Sequence, residues 1–324
     1  MKSAEGTMRV KSAQDDRELL EQGWAALPAE YRIPEQRPTL EEARTYCHRL
    51  ATTHYENFHV ASWFLPTRLR PHFYSIYAYC RISDDLGDEV GNRDQSLALL
   101  DLWGRELDAC YRGETRHPVF VALAETIRIC EIPQQPFADL LVAFRQDQTV
   151  PRYQTMDDVL DYCRYSANPV GRLVLYACGY RFPEMFLLSD YTCTALQLAN
   201  FWQDVSSDYA RGRIYLPLDD LNRYGVDEET IARREPTKAF RDLLSHEVDY
   251  TRQLFAKGMP LISMVDQELA LDLDLFSRGG LAILDAIQAR QYDVLTQRPV
   301  VSKGKKLGLV GRAFWGKIRG RRRA

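Results

Sequence analysis

Two short stretches put acids on helices that are otherwise apolar, and few folds tolerate that arrangement. The first reads Tyr77-Ala-Tyr-Cys80-Arg81-Ile-Ser-Asp84-Asp85-Leu-Gly-Asp88-Glu89. At about 100° per residue, Tyr77, Arg81, Asp84 and Asp88 fall at roughly 0°, 40°, 340° and 20°, one narrow stripe. The second reads Gln197-Leu-Ala-Asn200-Phe-Trp-Gln203-Asp204-Val-Ser-Ser-Asp208. By the same geometry Gln197, Asn200, Asp204 and Asp208 fall at roughly 0°, 300°, 340° and 20°. The flanks are greasy: Phe73, Tyr74, Ile76, Tyr77 and Tyr79 lead into the first, and Leu196, Leu198, Phe201 and Trp202 surround the second.

A solvated acidic face is the ordinary reading of such a pattern. Two facts weigh against it. Carboxylates one turn apart repel each other by a few tenths of a kcal/mol per pair, and acids on a helix that is apolar all round need compensation. A hard divalent cation supplies it: Mg²⁺ takes oxygen ligands and commonly bridges carboxylates to substrate phosphates. Two such helices facing one another would clamp a diphosphate. Other routes to a ligand are unsupported. Neither stretch has the alternating ligands and central glycine of an EF-hand loop, no phosphate-binding glycine loop is present, and the six histidines form no recognisable nucleophile triad.

The rest of the chain reads as helix. Thr39 followed by Glu42 forms a capping box, and Pro71 suits the first turn of a helix. Helical periodicity predicts further elements near Gln95–Tyr111, Pro118–Cys130, Pro136–Gln148, Met156–Ser166, Val170–Cys178, Glu184–Tyr209, Lys238–Met259 and Leu281–Leu295. No alternating run rich in valine and isoleucine suggests a sheet. The expected organisation is a loosely attached arm over residues 1–37, one all-α domain over 38–300, and a basic tail over 301–324. At 45% hydrophobic and 27% charged residues the chain can bury a sizeable core. Seven scattered cysteines without a CxxC pair fit reduced thiols, and with no apolar leader or bilayer-length run the expected location is the cytoplasm.

The net charge of −3 hides an asymmetry. Nine basic residues and no acid lie between Lys303 and Arg323, so 33 of the 42 cations face all 45 acids elsewhere, a body near −12. That body disfavours nucleic acid. For the tail two readings stay open: a solvated extension, or peripheral contact with anionic membrane lipid.

These motifs resemble those of the squalene/phytoene synthase family, whose members join or rearrange isoprenoid diphosphates. Tyr77-x-x-Cys80-Arg81-x-x-Asp84-Asp85-x-x-Asp88-Glu89 is similar to the family's first aspartate motif, and Asn200-x-x-x-Asp204-x-x-x-Asp208 to its second. Tyr162-Cys163 leading to Val170-Gly171 resembles the segment between them, and Arg213-Ile214-Tyr215-Leu216-Pro217 the segment after. The resemblance covers about Tyr46 to Lys306. It implies an isoprenoid-synthase helical bundle around a central cavity, with Mg²⁺ held by Asp84, Asp88, Asn200, Asp204 and Asp208, and Asp85 counted among the candidate ligands. It also implies that Arg81 holds diphosphate and that Tyr77, Tyr162 and Gln197 line the reacting centre. His54, Asn57 and Phe58 match a segment that contacts substrate, and Gln203, Arg213 and Tyr215 are expected on the substrate side.

Gln203 stands where most members carry Arg, and Leu284 where some carry Tyr. With the His54-Tyr-Glu-Asn-Phe segment, these features look most like the hydroxysqualene synthase branch of hopanoid biosynthesis, which takes presqualene diphosphate. The expected reaction is diphosphate departure followed by water capture of the cation. Coupling of two prenyl diphosphates to squalene, presqualene diphosphate or phytoene is the alternative within the family, and a non-catalytic helical scaffold the alternative outside it. Oligomeric state is left open.

Overall fold

A computed structural model describes residues 13–53 and 66–302, together with Gly304 and Gly308. Proline opens five of the helices at a first-turn position, where its missing N–H leaves no bond unmade. In order the helices are α1 (Ala13–Ala25), α2 (Leu40–Thr53), α3 (Arg70–Asp88), α4 (Arg93–Tyr111), α5 (Pro118–Cys130), α6 (Gln135–Asp147) and α7 (Met156–Ser166). There follow α8 (Asn168–Ala177), α9 (Pro183–Ala210), α10 (Leu218–Tyr224), α11 (Glu228–Ala232), α12 (Lys238–Gly258) and α13 (Gln267–Ala289). Thr39 caps α2 as its sequence predicts: its hydroxyl accepts from the Glu42 N–H at 3.3 Å, and the Glu42 carboxylate accepts from the Thr39 N–H at 2.8 Å. Among the described residues the only extended pairing is an isolated bridge between Arg152 and Ile214.

Two half-cores organise the bundle. One gathers around α3, whose Tyr79, Ile82 and Leu86 are fully buried with Leu99, Trp103 and Phe120. The other gathers around α9, whose Ala195, Leu198 and Trp202 pack with Phe240, Leu244 and Phe255. A buried polar group is bonded at the centre of each half. Tyr79 donates to the Phe137 carbonyl at 2.8 Å, and the Trp202 indole donates to Thr251 Oγ1 at 2.8 Å. Helix α8 touches both α3 and α9 and so joins the halves. All seven cysteines are unpaired thiols.

Two expectations about the ends of the fold need correction. The segment read as a loose arm carries α1, and Trp24, Leu27 and Tyr31 are buried in the first half-core. These three apolar side chains anchor it. The last helix begins at Gln267 rather than near Leu281, capped by Asp266, which accepts from the Leu269 N–H at 2.9 Å. Gly280 lies inside the helix, where α13 crosses α12. A Cβ on Gly280 would come within 2.4 Å of Phe255 Cζ. Helix α13 ends before its predicted limit because Gln291 and Tyr292 take positive φ (53° and 61°).

Candidate active site

Between the half-cores lies a cavity of about 390 Å³. Helix α3 contributes Tyr77, Cys80, Arg81, Asp84 and Asp88, and α9 contributes Gln197, Asn200, Phe201, Asp204 and Asp208. Both stripes thus border one cavity, which is what the 3.6-residue period requires once each helix buries its opposite face. The remaining lining comes from Leu140, Phe144 and Asp147 of α6, Tyr162 and Ser166 of α7, Val170 of α8, and Arg213 and Tyr215 after α9. The short bridge positions that last segment. Ile214 donates to the Pro151 carbonyl at 2.9 Å, which leaves Arg213 and Tyr215 on the cavity side.

One wall is aromatic. Tyr215 stacks on Phe201 with ring centroids 3.7 Å apart and on Tyr153 at 5.7 Å, and Tyr162 lies 5.7 Å from Tyr215. Aromatic faces attract cations without offering a lone pair for capture. The same cavity also carries concentrated negative charge. Burial and then the neighbouring Asp88 push Asp84 up to about 6. Burial and then Asp204 push Asp208 up to about 7. Two arginines partly answer this charge: Arg213 donates to Asp88 Oδ1 at 2.9 Å, and Arg298 forks onto Asp204, with its Nη2 2.9 Å from Oδ2.

The donor chemistry of the stripes suits a hard cation. Every candidate ligand is an oxygen, and burial and like charge make the charged form of two carboxyls costly, a cost that a bound dication relieves. Among the described residues no three acidic, histidine or cysteine groups converge closely enough to hold a metal ion. Asp88 and Asp204 are drawn onto Arg213 and Arg298 instead.

Two of the candidates point elsewhere. Asp85 follows Asp84 by about 100° around the helix, which turns it into the first half-core, where it is 5% exposed. There it accepts from Arg81 Nε at 3.1 Å and from the Tyr31 hydroxyl at 2.6 Å, so it orients Arg81 and does not line the cavity. Gln203, also 5% exposed, faces the C-terminal segment and does not line the cavity. Its amide donates to the Pro299 carbonyl at 2.6 Å and accepts from Arg298 Nη2 at 3.0 Å. Leu284 is fully buried in the second half-core. His54, Asn57 and Phe58 lie outside the described residues, as does the basic tail apart from Gly304 and Gly308.

Asp147 enters the cavity, and Arg298 and Tyr31 reach residues beside it, without a sequence signal of their own. Asp147 ends α6 as an unremarkable last-turn acid. Its Oδ2 accepts from the Tyr162 hydroxyl at 3.0 Å, while its Oδ1 is shielded and has no hydrogen-bond partner among the described residues. Burial pushes it up to about 7, against the pull of Arg213 and Tyr162. Arg298 supplies a guanidinium beside position 203, and the missing arginine there was the one available hint. Tyr31 reaches Asp85 from the N-terminal segment.

With the geometry established, likeness to known proteins decides the family. A sequence model described as squalene/phytoene synthase matches residues 51–305. The chain belongs to the squalene/phytoene synthase family. Hydroxysqualene synthase of Rhodopseudomonas palustris is 36% identical over 246 residues, covering 75% of this chain and 82% of that protein. The 15-cis-phytoene synthase of a Synechocystis species is 28% identical over 281 residues, covering 83% of each. Among solved structures, squalene synthase HpnC from Alicyclobacillus acidocaldarius is 45% identical with a TM-score of 0.76, covering 84% of this chain and 99% of that one. A dehydrosqualene synthase at 24% identity and TM-score 0.77, covering 85% and 96%, shares the fold. The all-α isoprenoid-synthase architecture follows from these. No described helix is long and apolar enough to cross a membrane.

Proposed function

We propose that this enzyme converts presqualene diphosphate to hydroxysqualene, releasing diphosphate and capturing the carbocation with water. The observation that carries the proposal is the pair of acidic stripes bordering one cavity that is also walled by Phe201, Tyr162 and Tyr215. The likeness to a hydroxysqualene synthase at 36% identity supports the choice of reaction.

Asp84 and Asp88 on α3, with Asn200, Asp204 and Asp208 on α9, would hold Mg²⁺, which when bound supplies Lewis-acid stabilisation of the departing diphosphate oxygens. Arg81 and Arg213 add charge-assisted hydrogen bonds to that group. In the reaction the carbon–oxygen bond of the cyclopropylcarbinyl diphosphate breaks and its electron pair leaves with the diphosphate. Water then adds to the rearranged cation and gives up one proton. Asp147, which burial pushes well above the usual carboxylate range, is suited to take that proton through the Tyr162 hydroxyl it accepts from. The aromatic wall and the apolar side chains of Leu140, Phe144 and Val170 limit how much water reaches the cation.

The reading is tested by incubating purified protein with Mg²⁺ and either farnesyl diphosphate or presqualene diphosphate, then identifying products by mass spectrometry. An alcohol from presqualene diphosphate is expected. A product from farnesyl diphosphate alone would replace this reading with head-to-head coupling, which the 45% identity to a squalene synthase also favours.

A further inference from the structure

The first acidic helix does not orient its arginine unaided. Arg81 meets Asp85 through Nε and Nη2, a forked pairing that fixes the guanidinium plane and leaves Nη1 toward Asp84, 3.6 Å away, at the cavity edge. Asp85 is itself pinned from behind. The Tyr31 hydroxyl donates to Asp85 Oδ2 at 2.6 Å, and this is the same oxygen that accepts from Arg81 Nε. Tyr31 is 1% exposed and Asp85 5%. Burial and then this hydrogen bond push the phenol up, so it remains a donor throughout the physiological range.

The segment that delivers Tyr31 is anchored. Trp24 and Leu27 are buried beside it, Arg32 pairs with Glu21 at 2.8 Å, and the Tyr46 hydroxyl donates to the Glu30 carbonyl at 3.0 Å. The family's sequence model matches only from residue 51, so Tyr31 lies in the segment that precedes it. The contact is therefore a contribution of the preceding segment to the site.

We propose that Tyr31 is a positioning residue for the active site: its phenol fixes Asp85, and Asp85 sets the guanidinium that meets the diphosphate. Removing the hydroxyl frees the carboxylate to rotate and draws the Arg81 fork with it. The phenol also shares the charge of Asp85, which leaves more of the guanidinium's charge for the ligand. This inference rests on the reading of the cavity as a diphosphate site.

The test is calorimetric titration of full-length protein with inorganic pyrophosphate in the presence of Mg²⁺. Tyr31→Phe keeps the ring and loses only the hydroxyl, and is expected to weaken pyrophosphate binding about tenfold, a displaced ligand group being enough for that. Leu27→Ala loosens the same segment without touching Asp85, and should lower the melting temperature while leaving affinity within about twofold of wild type, as expected for a site it does not contact. In an Arg81→Gln background, Tyr31→Phe should cause no further loss, because the two act through one path. Tyr31→Phe binding like wild type would overturn the inference, as would equal losses from Tyr31→Phe and Leu27→Ala. If wild-type protein itself bound no pyrophosphate, the diphosphate reading would fall and this inference with it.

Discussion

The two acidic helices face the same electrostatic problem, but only the first carries a counter-ion of its own. On α3 the guanidinium of Arg81 lies on the same helix, three and four residues before the carboxylates it meets. On α9 the guanidinium that forks onto Asp204 is Arg298, which arrives from beyond the last helix. The C-terminal strand of chain that carries it is tied along one turn of α9: Gln203 holds Pro299, and Ser206 donates to the Leu295 carbonyl at 2.8 Å. Asp84 thus has a guanidinium on its own helix, whereas Asp88 and Asp204 take Arg213 and Arg298 from distant parts of the chain. The lesson is that matching motifs do not guarantee matching surroundings.

Buried acids differ between the halves too. Asp85 in the first half is met by Arg81 and Tyr31. Glu247 in the second, fully buried on α12, has Asp220 for a neighbour and no basic group paired with it among the described residues. Burial and then Asp220 push it up to about 8.

Four experiments break or sharpen this contrast. The largest effect is expected where the halves act alike: Asp84→Ala and Asp204→Ala should each reduce turnover by about 10²–10³-fold or more, with helical circular dichroism unchanged. Near-normal turnover from either variant at saturating Mg²⁺ would show that only one stripe serves the reaction. Next, Arg81→Lys should lower kcat/KM about 10–100-fold, since an ammonium cannot reproduce the fork on Asp85 and a misplaced group costs that much. Steady-state kinetics with presqualene diphosphate reads this directly.

Third, Glu247→Gln should raise stability at pH 8 by on the order of 1–3 kcal/mol while doing little at pH 4.5. The sign follows from linkage. The folded protein retains the Glu247 proton up to about 8, whereas an unfolded chain releases it near 4.5. Stability therefore falls as pH rises across that window and levels off above it, and glutamine removes the fall. Thermal melts of both proteins at the two pH values decide the matter. The smallest effect is local. Arg298→Ala should speed amide exchange over residues 295–302 and leave α3 unchanged, and unaltered exchange would mean that Gln203 and Ser206 hold the segment without it.

Much of the architecture was legible because it depends on short-range periodicity. Pro118–Cys130 and Met156–Ser166 were bounded correctly, since proline and the Thr155–Asp158 capping box mark their starts. The stripes were legible for the same reason: residues at i, i+4 and i+7 share a face in any straight helix. What failed were readings of single residues whose partners lie far along the chain, as with Asp85 and Gln203. The last helix was expected only from near Leu281, and the N-terminal segment looked loose until Trp24, Leu27 and Tyr31 were found in the core.

The sequence by itself therefore determined the helices, the face on which each acid lies, and the family to which the motifs belong. Only the tertiary structure decided that Asp85 and Gln203 turn inward to hold Arg81 and the C-terminal segment, and that Asp147, Arg298 and Tyr31 join the site. The physical reason is range. Helical phase is fixed within a few residues of chain, but a hydrogen bond or ion pair between residues 31 and 85, or 204 and 298, exists only after the apolar packing of two half-cores has brought them together.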